Sequence, residues 1–472
     1  MDAVNKVQAI DFAEEFAAWS SAFNSAAAGS DLLDAARLNL FDTLACSVAG
    51  LTAPGVPEML GLVRDWGGKP EATVLWSDLR LPAPQAAWIN GIMSHARDYD
   101  DTHDKAILHA GVSVIPASFA AAEIAGRPVT GPEFHSGVMV GLELLCRLGM
   151  ATRIGLIESG FIYSSLFGYF GATAAAARIL KLSPADTVNA LGIAFSQAAG
   201  THQVTRDAAL TKRMQPGFAA RAALTSVAMA RAGIRGAQKT FEGEDGLGRI
   251  YLQSQLDGAV LRDGLGERFH FVDLAYKPYP CCRFNHTAID AALQLREQPG
   301  FDWRKVQRIE ALTNNQAYEA IGTPLAIRQV PTTVVQAQFS ICYTIACALV
   351  NGQAGLADFA QEALTRPDVR EVCAKVQPVV DPEIERVWGR SVGPTRIVAH
   401  CENGVFTAQV DEAKGSLATP MSASEWHRKL EDCVGFGGFG GELADRFETT
   451  VQALEQSSDV VADLRQLTAR GA

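Results

Sequence analysis

Residues 95–123 read HARDYDDTHDKAILHAGVSVIPASFAAAE, and this segment joins a cluster of ionisable side chains to an apolar run. The run over 112–125 has almost no polar position, so it predicts a buried helix. Aspartates and histidines are seldom placed so close to core-forming sequence unless they are solvated or used. This segment is therefore a candidate functional site at the start of a buried helix.

A helical turn through Asp98, Asp101 and Thr102 would place two carboxylates and a hydroxyl on one face, because residues three and four apart are neighbours on a helix. His109 lies just before the predicted helix, whose positive end lowers the basicity of an imidazole and attracts anions. The alternative is a solvated acidic turn with structural histidines. This segment alone leaves both interpretations open.

Length and composition indicate a globular protein of two domains. The chain has 472 residues, of which 48% are hydrophobic and 20% charged, with a formal net charge of −11. No long run of lysine or arginine could follow a phosphate backbone, so nucleic acid is excluded as the expected partner. A small anionic substrate is compatible with this composition, because local cations and helix ends can outweigh an acidic total.

Targeting and redox signals favour the cytoplasm. Residues 1–23 carry acids within their apolar pattern, so no signal peptide is expected. No apolar run is long enough for a membrane span. The nine cysteines are scattered and odd in number, which is typical of a reducing compartment. No CxxC or Cys/His spacing indicates zinc, and we expect no metal.

The periodicity predicts a mainly α protein with a large helical bundle and an inserted α+β domain. Residues 1–265 are helical almost throughout, 266–411 form the smaller domain, and 412–472 return as helices that pack on the first domain. Strands are predicted at 306–314, 396–400 and 405–410, the last two forming a hairpin. The clearest helices are predicted at 31–48, 84–94, 131–151, 164–180, 184–199, 217–232 and 335–349.

Three further segments carry candidate site residues. Lys212 and Arg213 come just before a helix, where cations and a free helix end would bind a carboxylate, unless they belong to a solvated loop. The string KPYPCCRFNH contains two prolines, which would hold Cys282, Arg283 and His286 in fixed positions at the start of the following helix, unless His286 is only a helix cap. We interpret Cys281 and Cys282 as core residues, because no base for a thiolate is near.

Tyr343 lies in the apolar helix QFSICYTIAC, where a buried hydroxyl needs a polar partner. It is interpreted as a core or a site residue. Together with DYDDTH, TKRMQPGFAA and KPYPCC, this motif resembles the MmgE/PrpD family over nearly the whole chain. That family's activities include dehydration of 2-methylcitrate, decarboxylation of cis-aconitate and epimerisation of iminodisuccinate.

The resemblance implies a homodimer that needs no metal or organic cofactor, with a lid over a helical domain. It also implies an active site between the domains, lined by Asp98, Thr102, His109, Lys212, His286 and Tyr343. Two positions depart from the family pattern. Ile162 stands where decarboxylases of the family have a histidine, and Arg97 stands where relatives commonly have an apolar residue.

The common chemistry of the family is proton transfer at a carbon beside a carboxylate. Lys212, Arg213 and a helix end would stabilise the enediolate, and His109, Lys212 or Tyr343 would move the proton. Asp98 completes the predicted catalytic group. The predicted substrate-binding residues are Thr102, Arg97, Arg213, Arg283 and His286.

The family's histidine is missing at Ile162, which removes one acid–base group. The remaining acid–base groups could still reach the two opposite faces of a planar intermediate. The leading prediction is therefore epimerisation of an iminodisuccinate-type dicarboxylate. The alternatives are a 2-methylcitrate dehydratase-like or cis-aconitate decarboxylase-like lyase. Two further alternatives are open. One is a metal-dependent hydrolase that uses carboxylates and an imidazole as metal ligands. The other is a helical binding protein that has lost the catalytic chemistry. The hydrolase ligands would be Asp98, Asp100, Asp101 and His103.

Overall fold

A computed structural model describes residues 10–389 and 391–469. The first nine residues lie outside this part, so the segment predicted to lack a signal peptide is described only from residue 10 onward. The described chain is mainly helical, with one four-stranded sheet and one two-stranded sheet. Within it, no helix is both long and apolar enough to span a bilayer.

The helices and strands are numbered separately in chain order. The helices are α1 (Phe12–Ala22), α2 (Ser30–Gly50), α3 (Val56–Trp66), α4 (Ala83–His95), α5 (Gly111–Glu123), α6 (Gly131–Ala151), α7 (Leu156–Ser159), α8 (Tyr163–Ile179), α9 (Pro184–Phe195), α10 (Gln203–Arg206), α11 (Gln215–Arg231), α12 (Leu247–Ile250), α13 (Gly258–Arg262), α14 (His286–Arg296), α15 (Asn315–Ala317), α16 (Leu325–Gln329), α17 (Val334–Gln338), α18 (Ile341–Asn351), α19 (Pro367–Cys373), α20 (Pro382–Trp388), α21 (Ala423–Phe436), α22 (Glu442–Ala453) and α23 (Val460–Thr468). The strands are β1 (Ala72–Thr73), β2 (Arg80–Leu81), β3 (Val306–Thr313), β4 (Val376–Val380), β5 (Thr395–Cys401) and β6 (Gly404–Val410).

Small residues let the central helices approach closely. A Cβ at Gly141 of α6 would lie 2.7 Å from the carbonyl oxygen of Gly171 in α8. In the same way, a Cβ at Gly91 of α4 would lie 2.8 Å from the Cα of Gly217 in α11. The second contact matters for function, because it brings the carboxyl end of α4 close to the residues that precede α11.

The helix predicted over 335–349 is wrong, because the chain forms two helices there. Helix α17 ends at Gln338, and the Ser340 side chain accepts a hydrogen bond from the backbone N–H of Tyr343 at 3.0 Å. A serine in this N-cap position starts a new helix by satisfying an otherwise free donor. Helix α18 therefore begins at Ile341.

The four-stranded sheet has the order β4-β3-β5-β6, and β5 and β6 form the predicted hairpin. Strand β4 runs parallel to β3 and was not predicted from the sequence. Pro378 lies in the middle of β4, although proline cannot donate to a ladder. It is tolerated because β4 is at the sheet edge.

The buried apolar side chains form two large clusters. One contains residues between Phe12 and Tyr276 together with residues between Met421 and Leu467, and the other lies between Cys281 and Ala408. The carboxyl-terminal helices contact the first part of the chain. The ring of Phe41 in α2 lies 5.6 Å from that of Trp426 and 5.1 Å from that of Phe447.

Candidate active site

A cavity opens where the two large clusters meet, and side chains from both parts of the chain line it. The polar members include five of the nine predicted site residues, namely Asp98, Thr102, His109, Lys212 and Arg283. These polar members are His95, Asp98, Thr102, His109, Ser164, His202, Thr205, Lys212, Cys282, Arg283 and Gln316. The remainder of the lining is apolar.

The predicted helical turn through Asp98, Asp101 and Thr102 is wrong. Helix α4 ends at His95, and the chain then turns irregularly, with a φ of 55° at Asp98. Thr102 forms a β-bridge with Ala275, and its backbone N–H donates to the Ala275 carbonyl oxygen at 2.8 Å. The tertiary contacts of this segment outweigh its local helical pattern, so the three side chains have different neighbours.

Asp98 holds two lysines from distant parts of the chain. Its carboxylate accepts from Lys212 Nζ at 2.6 Å and from Lys277 Nζ at 2.5 Å. Burial alone would raise the pKa of Asp98, but the two ammonium groups outweigh it and hold that pKa well below its usual value. Asp98 is therefore a fixed negative charge that orients Lys212 at the cavity.

His95 connects Lys212 to a second buried carboxylate. His95 Nδ1 lies 3.0 Å from both oxygens of Asp100, and Nε2 lies 3.1 Å from Lys212 Nζ. Donation of Nδ1–H to the carboxylate leaves the lone pair of Nε2 to accept from the ammonium group. Burial lowers the pKa of His95, so the imidazole is neutral at neutral pH.

His109 lies where the sequence predicted it, two residues before α5. Its Nδ1 is 2.5 Å from the Asp101 carbonyl oxygen and 3.2 Å from Asp100 Oδ2, so Nε2 is the nitrogen available to a ligand. Burial and the nearby Lys277 lower the pKa of His109 to about 3. A neutral imidazole in this position can accept a proton or a hydrogen bond.

Asp101 has a structural contact that the sequence did not indicate. Its carboxylate accepts from the backbone N–H groups of Ala110 and Gly111 at 2.8 and 3.0 Å, and it thereby caps the start of α5. Burial and the neighbouring Asp100 raise the pKa of Asp101 to about 7. Asp101 is absent from the cavity lining.

Of the residues in the KPYPCCRFNH string, Arg283 and Cys282 line the cavity but His286 does not. Arg283 binds Asp104 through Nε and Nη2 at 2.9 and 2.8 Å. His286 is fully buried behind it, with Nδ1 3.3 Å from Arg283 Nη1. Burial raises the pKa of Cys282 to about 11, so its thiol is protonated at neutral pH.

Three other predicted site residues, Arg97, Arg213 and Tyr343, are absent from the cavity lining. Arg97 donates to the Ala49 carbonyl oxygen at 3.0 Å and stacks over the ring of Phe436. Arg213 lies 3.3 Å from the Pro54 carbonyl oxygen. These contacts direct both guanidinium groups away from the cavity lining.

Tyr343 is buried in the second apolar cluster. Its hydroxyl donates to the Asp358 carbonyl oxygen at 2.6 Å. The structure therefore provides the polar partner that a buried tyrosine requires, but it does not bring this hydroxyl to the cavity.

Sequence reasoning did not select His95 and Lys277 as site residues. His95 is the first residue of the segment on which the interpretation rested, and Lys277 is the first residue of the KPYPCC string. Both residues therefore lie within the motifs that predicted the site. Their pairing with Lys212 and Asp98 depends on contacts between positions more than 100 residues apart.

The arrangement does not favour a cation. One group of potential metal ligands, His95, Asp100 and His109, has its ligand atoms within 4.8 Å of one another. However, Lys212 Nζ lies 3.1 Å from His95 Nε2, where it would repel a cation. The ligand set of the metal-dependent hydrolase is not assembled, because Asp98 binds lysines and Asp101 caps a helix.

The fold and the cavity define a mainly helical protein with a buried acid–base group in which a lysine, a histidine and a carboxylate are linked in series. Two family profiles match the chain: the MmgE/PrpD N-terminal domain at residues 14–258 and the MmgE/PrpD C-terminal domain at residues 279–456. The chain belongs to the MmgE/PrpD family.

Curated relatives match along most of the chain. A cis-aconitate decarboxylase-like protein of Aspergillus oryzae is 28% identical, over 94% of this chain and 95% of the relative. The cis-aconitate decarboxylase of Aspergillus terreus is 26% identical, over 96% and 93%. The human cis-aconitate decarboxylase is 26% identical, over 76% and 74%. These relatives do not support the predicted epimerase.

Proposed function

We propose that the protein is a lyase that acts on a small tricarboxylate, and that its reaction is decarboxylation of an aconitate-type acid. The observation that carries this proposal is the series Asp98–Lys212–His95–Asp100 at the cavity, which presents an oriented ammonium group backed by a buried imidazole. The similarity to cis-aconitate decarboxylases supports the choice of reaction class.

In this reaction the bond between carbon and one carboxylate breaks, and carbon dioxide leaves. The electron pair moves across the double bond to a carbon conjugated with a second carboxylate, so that negative charge develops on its oxygens. A proton must then return to carbon. The Lys212 ammonium group can both stabilise that charge and donate the proton.

His95 and His109 have different roles in this proposal. His95 accepts from Lys212 through Nε2, so it can pass a proton between Lys212 and the region of Asp100. His109 is neutral because its pKa is lowered to about 3, and its free nitrogen can orient the substrate through a carboxylic acid or hydroxyl proton. Neither imidazole serves as a charged anion-binding group.

Dehydration of a citrate-type acid is the second candidate, and Ile162 favours it. Ile162 lines the cavity in the position where the family's decarboxylases are expected to have a histidine. Dehydration removes a proton from the carbon beside a carboxylate and expels the neighbouring hydroxyl group as water. His109 would take the proton and Lys212 would protonate the leaving oxygen.

We further propose that residues 266–411 form a lid over the helical part and that the protein is a homodimer. Two separate apolar clusters, with a cavity where they meet, support the lid. The homodimer rests on the family resemblance, and measurement of the molar mass in solution tests it.

Incubation of the purified protein with cis-aconitate, citrate and iminodisuccinate in deuterium oxide tests the reaction. Proton NMR follows each carbon skeleton, and a carbonate assay follows carbon dioxide. We expect carbon dioxide and a deuterated decarboxylation product from the aconitate-type acid. Alkene formation without carbon dioxide would instead establish dehydration.

Deuterium exchange with scrambled stereochemistry and an unchanged carbon skeleton would contradict the lyase proposal and restore the epimerase. Absence of reaction and of binding with all three acids would favour the helical binding protein. The variant Lys212→Met provides the control for contaminating activity, because it removes the proposed acid.

A further inference from the structure

The cavity has an aliphatic wall, which we define as Ile107, Leu156, Ile157 and Ile162. All four side chains line the cavity that also contains Lys212. All four are only partly buried. They leave apolar surface facing the space in which a substrate would lie, and contact with another apolar group would remove that surface from water.

Three members of the wall come from one short stretch. Leu156 and Ile157 are the first residues of α7, and Ile162 immediately precedes α8. The Ile162 backbone N–H donates to the Gly200 carbonyl oxygen at 2.7 Å, which fixes the position of this residue. The stretch therefore presents its aliphatic side chains from a backbone that is held in place.

The fourth member is held in an unfavourable backbone conformation. Ile107 has a φ of 51°, in the left-handed region that a β-branched residue rarely adopts. Its backbone N–H donates to the His103 carbonyl oxygen at 2.8 Å, in the tight turn between Thr102 and His109. A side chain kept in such a conformation at a cavity points to a role in the site.

The cations of the cavity are few and are already paired. Among the described residues, the lining contains one lysine and one arginine, Lys212 and Arg283. Lys212 is bound to Asp98, and Arg283 is bound to Asp104. An aliphatic wall gives no hydrogen bonds to carboxylate oxygens, so a substrate made only of carboxylates would leave them unsatisfied there.

From this juxtaposition we infer that the substrate carries an alkyl substituent longer than a methyl group, which packs against the aliphatic wall while its carboxylates face Lys212 and Arg283. The inference rests on the proposed function for the reaction and adds the substrate class. Ile162 then becomes a specificity-determining residue. It lies where the family's decarboxylases are expected to have a polar side chain.

Binding of unreactive acids tests the wall independently of catalysis. Isothermal titration calorimetry would compare succinate, methylsuccinate, butylsuccinate and hexylsuccinate with the intact protein. Each methylene group that leaves water tightens binding by about fourfold. We expect butylsuccinate to bind at least about tenfold more tightly than methylsuccinate. Equal affinities along the series would overturn the inference.

The variant Ile162→Ser tests the contribution of the wall. Serine is a favourable residue immediately before a helix, so this change should leave α8 intact. We expect the variant to lose most of the preference for butylsuccinate over methylsuccinate and to keep its affinity for succinate. Ile234→Ser, at a residue 45% exposed and absent from the cavity lining, is the matched control and should change nothing.

Turnover separates this inference from the proposed function. Alkyl-substituted and unsubstituted cis-aconitate would be compared for release of carbon dioxide, and alkyl-substituted and unsubstituted citrate for alkene formation. Faster turnover of the alkyl-substituted acid supports both proposals. Faster turnover of the unsubstituted acid overturns the inference and leaves the lyase intact. Tight binding of butylsuccinate without reaction of any acid overturns the lyase and leaves the wall intact.

Discussion

Two buried ion pairs show why burial of charge alone does not identify a site. Arg147 and Glu143 in α6 lie 2.7 Å apart and are completely buried. Lys212 and Asp98 lie 2.6 Å apart, and their side chains are 9% and 4% exposed. Arg147 also donates to three backbone carbonyl oxygens, at Leu261, Asp263 and Arg268. Every contact of that guanidinium group serves the packing of the chain.

The Lys212 pair differs because it borders a cavity and because its partners form a series. Lys212 contacts Asp98 and a neutral histidine, and its ammonium group can still reach a ligand. Neither Arg147 nor Glu143 lines the cavity that contains Lys212. A buried charge whose partners all lie within the protein indicates a structural role, whereas a buried charge that faces a cavity indicates a catalytic role.

Removal of the Lys212 ammonium group should have the largest effect. We expect Lys212→Met to reduce kcat/KM by about 10²- to 10⁴-fold, because the proposed acid and charge stabiliser is lost. Stability should change little, because Lys277 still neutralises Asp98. Steady-state kinetics and thermal unfolding measure the two effects.

The matched control is Lys181→Met, which removes a half-exposed lysine paired with Glu133. It should preserve both activity and stability, because a surface ion pair contributes little. A large loss of stability in Lys212→Met with unchanged activity of the folded fraction would show that Lys212 has a structural role, and the two ion pairs would then not differ in function.

Removal of the Arg147 guanidinium group should affect stability instead. We expect Arg147→Met to lower the free energy of unfolding by about 3–5 kcal/mol, because Glu143 is left as an uncompensated buried charge. Denaturant unfolding measures the loss. The folded fraction should keep its kcat/KM, since this pair lies outside the cavity.

The double variant Glu143→Leu, Arg147→Met sharpens this prediction. Replacing both members removes the unpaired charge, so part of the lost stability should return. A double variant no more stable than the single one would show that loss of the hydrogen bonds that Glu143 accepts from the backbone N–H groups of His270 and Phe271 cancels the gain.

The pH dependence of stability should reveal the buried neutral histidine. The pKa of His109 falls from 6.5 in the unfolded chain to about 3 in the folded chain. Between these values the unfolded chain binds the extra proton, so the free energy of unfolding falls as the pH is lowered. In His109→Gln this fall should be shallower by about 1 kcal/mol per pH unit near pH 5.

Urea unfolding at several pH values between 4.5 and 7.5 measures that slope for both proteins. The other buried histidines with lowered pKa values keep some slope in the variant. Identical slopes in the two proteins would mean that His109 carries a proton in the folded state.

The smallest effect is expected for Tyr343→Phe. The hydroxyl donates to a backbone carbonyl oxygen and is absent from the cavity lining. We expect stability to fall by about 1 kcal/mol and kcat/KM to change less than about threefold, because one buried hydrogen bond is lost. A large loss of activity in a stable variant would restore the role that the family resemblance implies.

Local sequence determined much of the secondary structure. The predicted helix over 131–151 matches α6, and the capping box of this helix, Thr130 and Glu133, lies within four consecutive residues. The hairpin of β5 and β6 follows from a local turn signal. The sequence also placed His109 before α5, because the change from charged to apolar residues marks that helix start.

Only the tertiary structure decided which side chains meet. Asp98 and Lys277 are 179 positions apart, and no local pattern records their contact. The close approach of α4 and α11 at Gly91 and Gly217 brings Lys212 to His95. Arg97 directly precedes the DYDDTH motif and Tyr343 lies in QFSICYTIAC, but the contacts of both side chains lie away from the cavity. The direction of a side chain depends on the packing of distant elements, which sequence spacing alone does not specify.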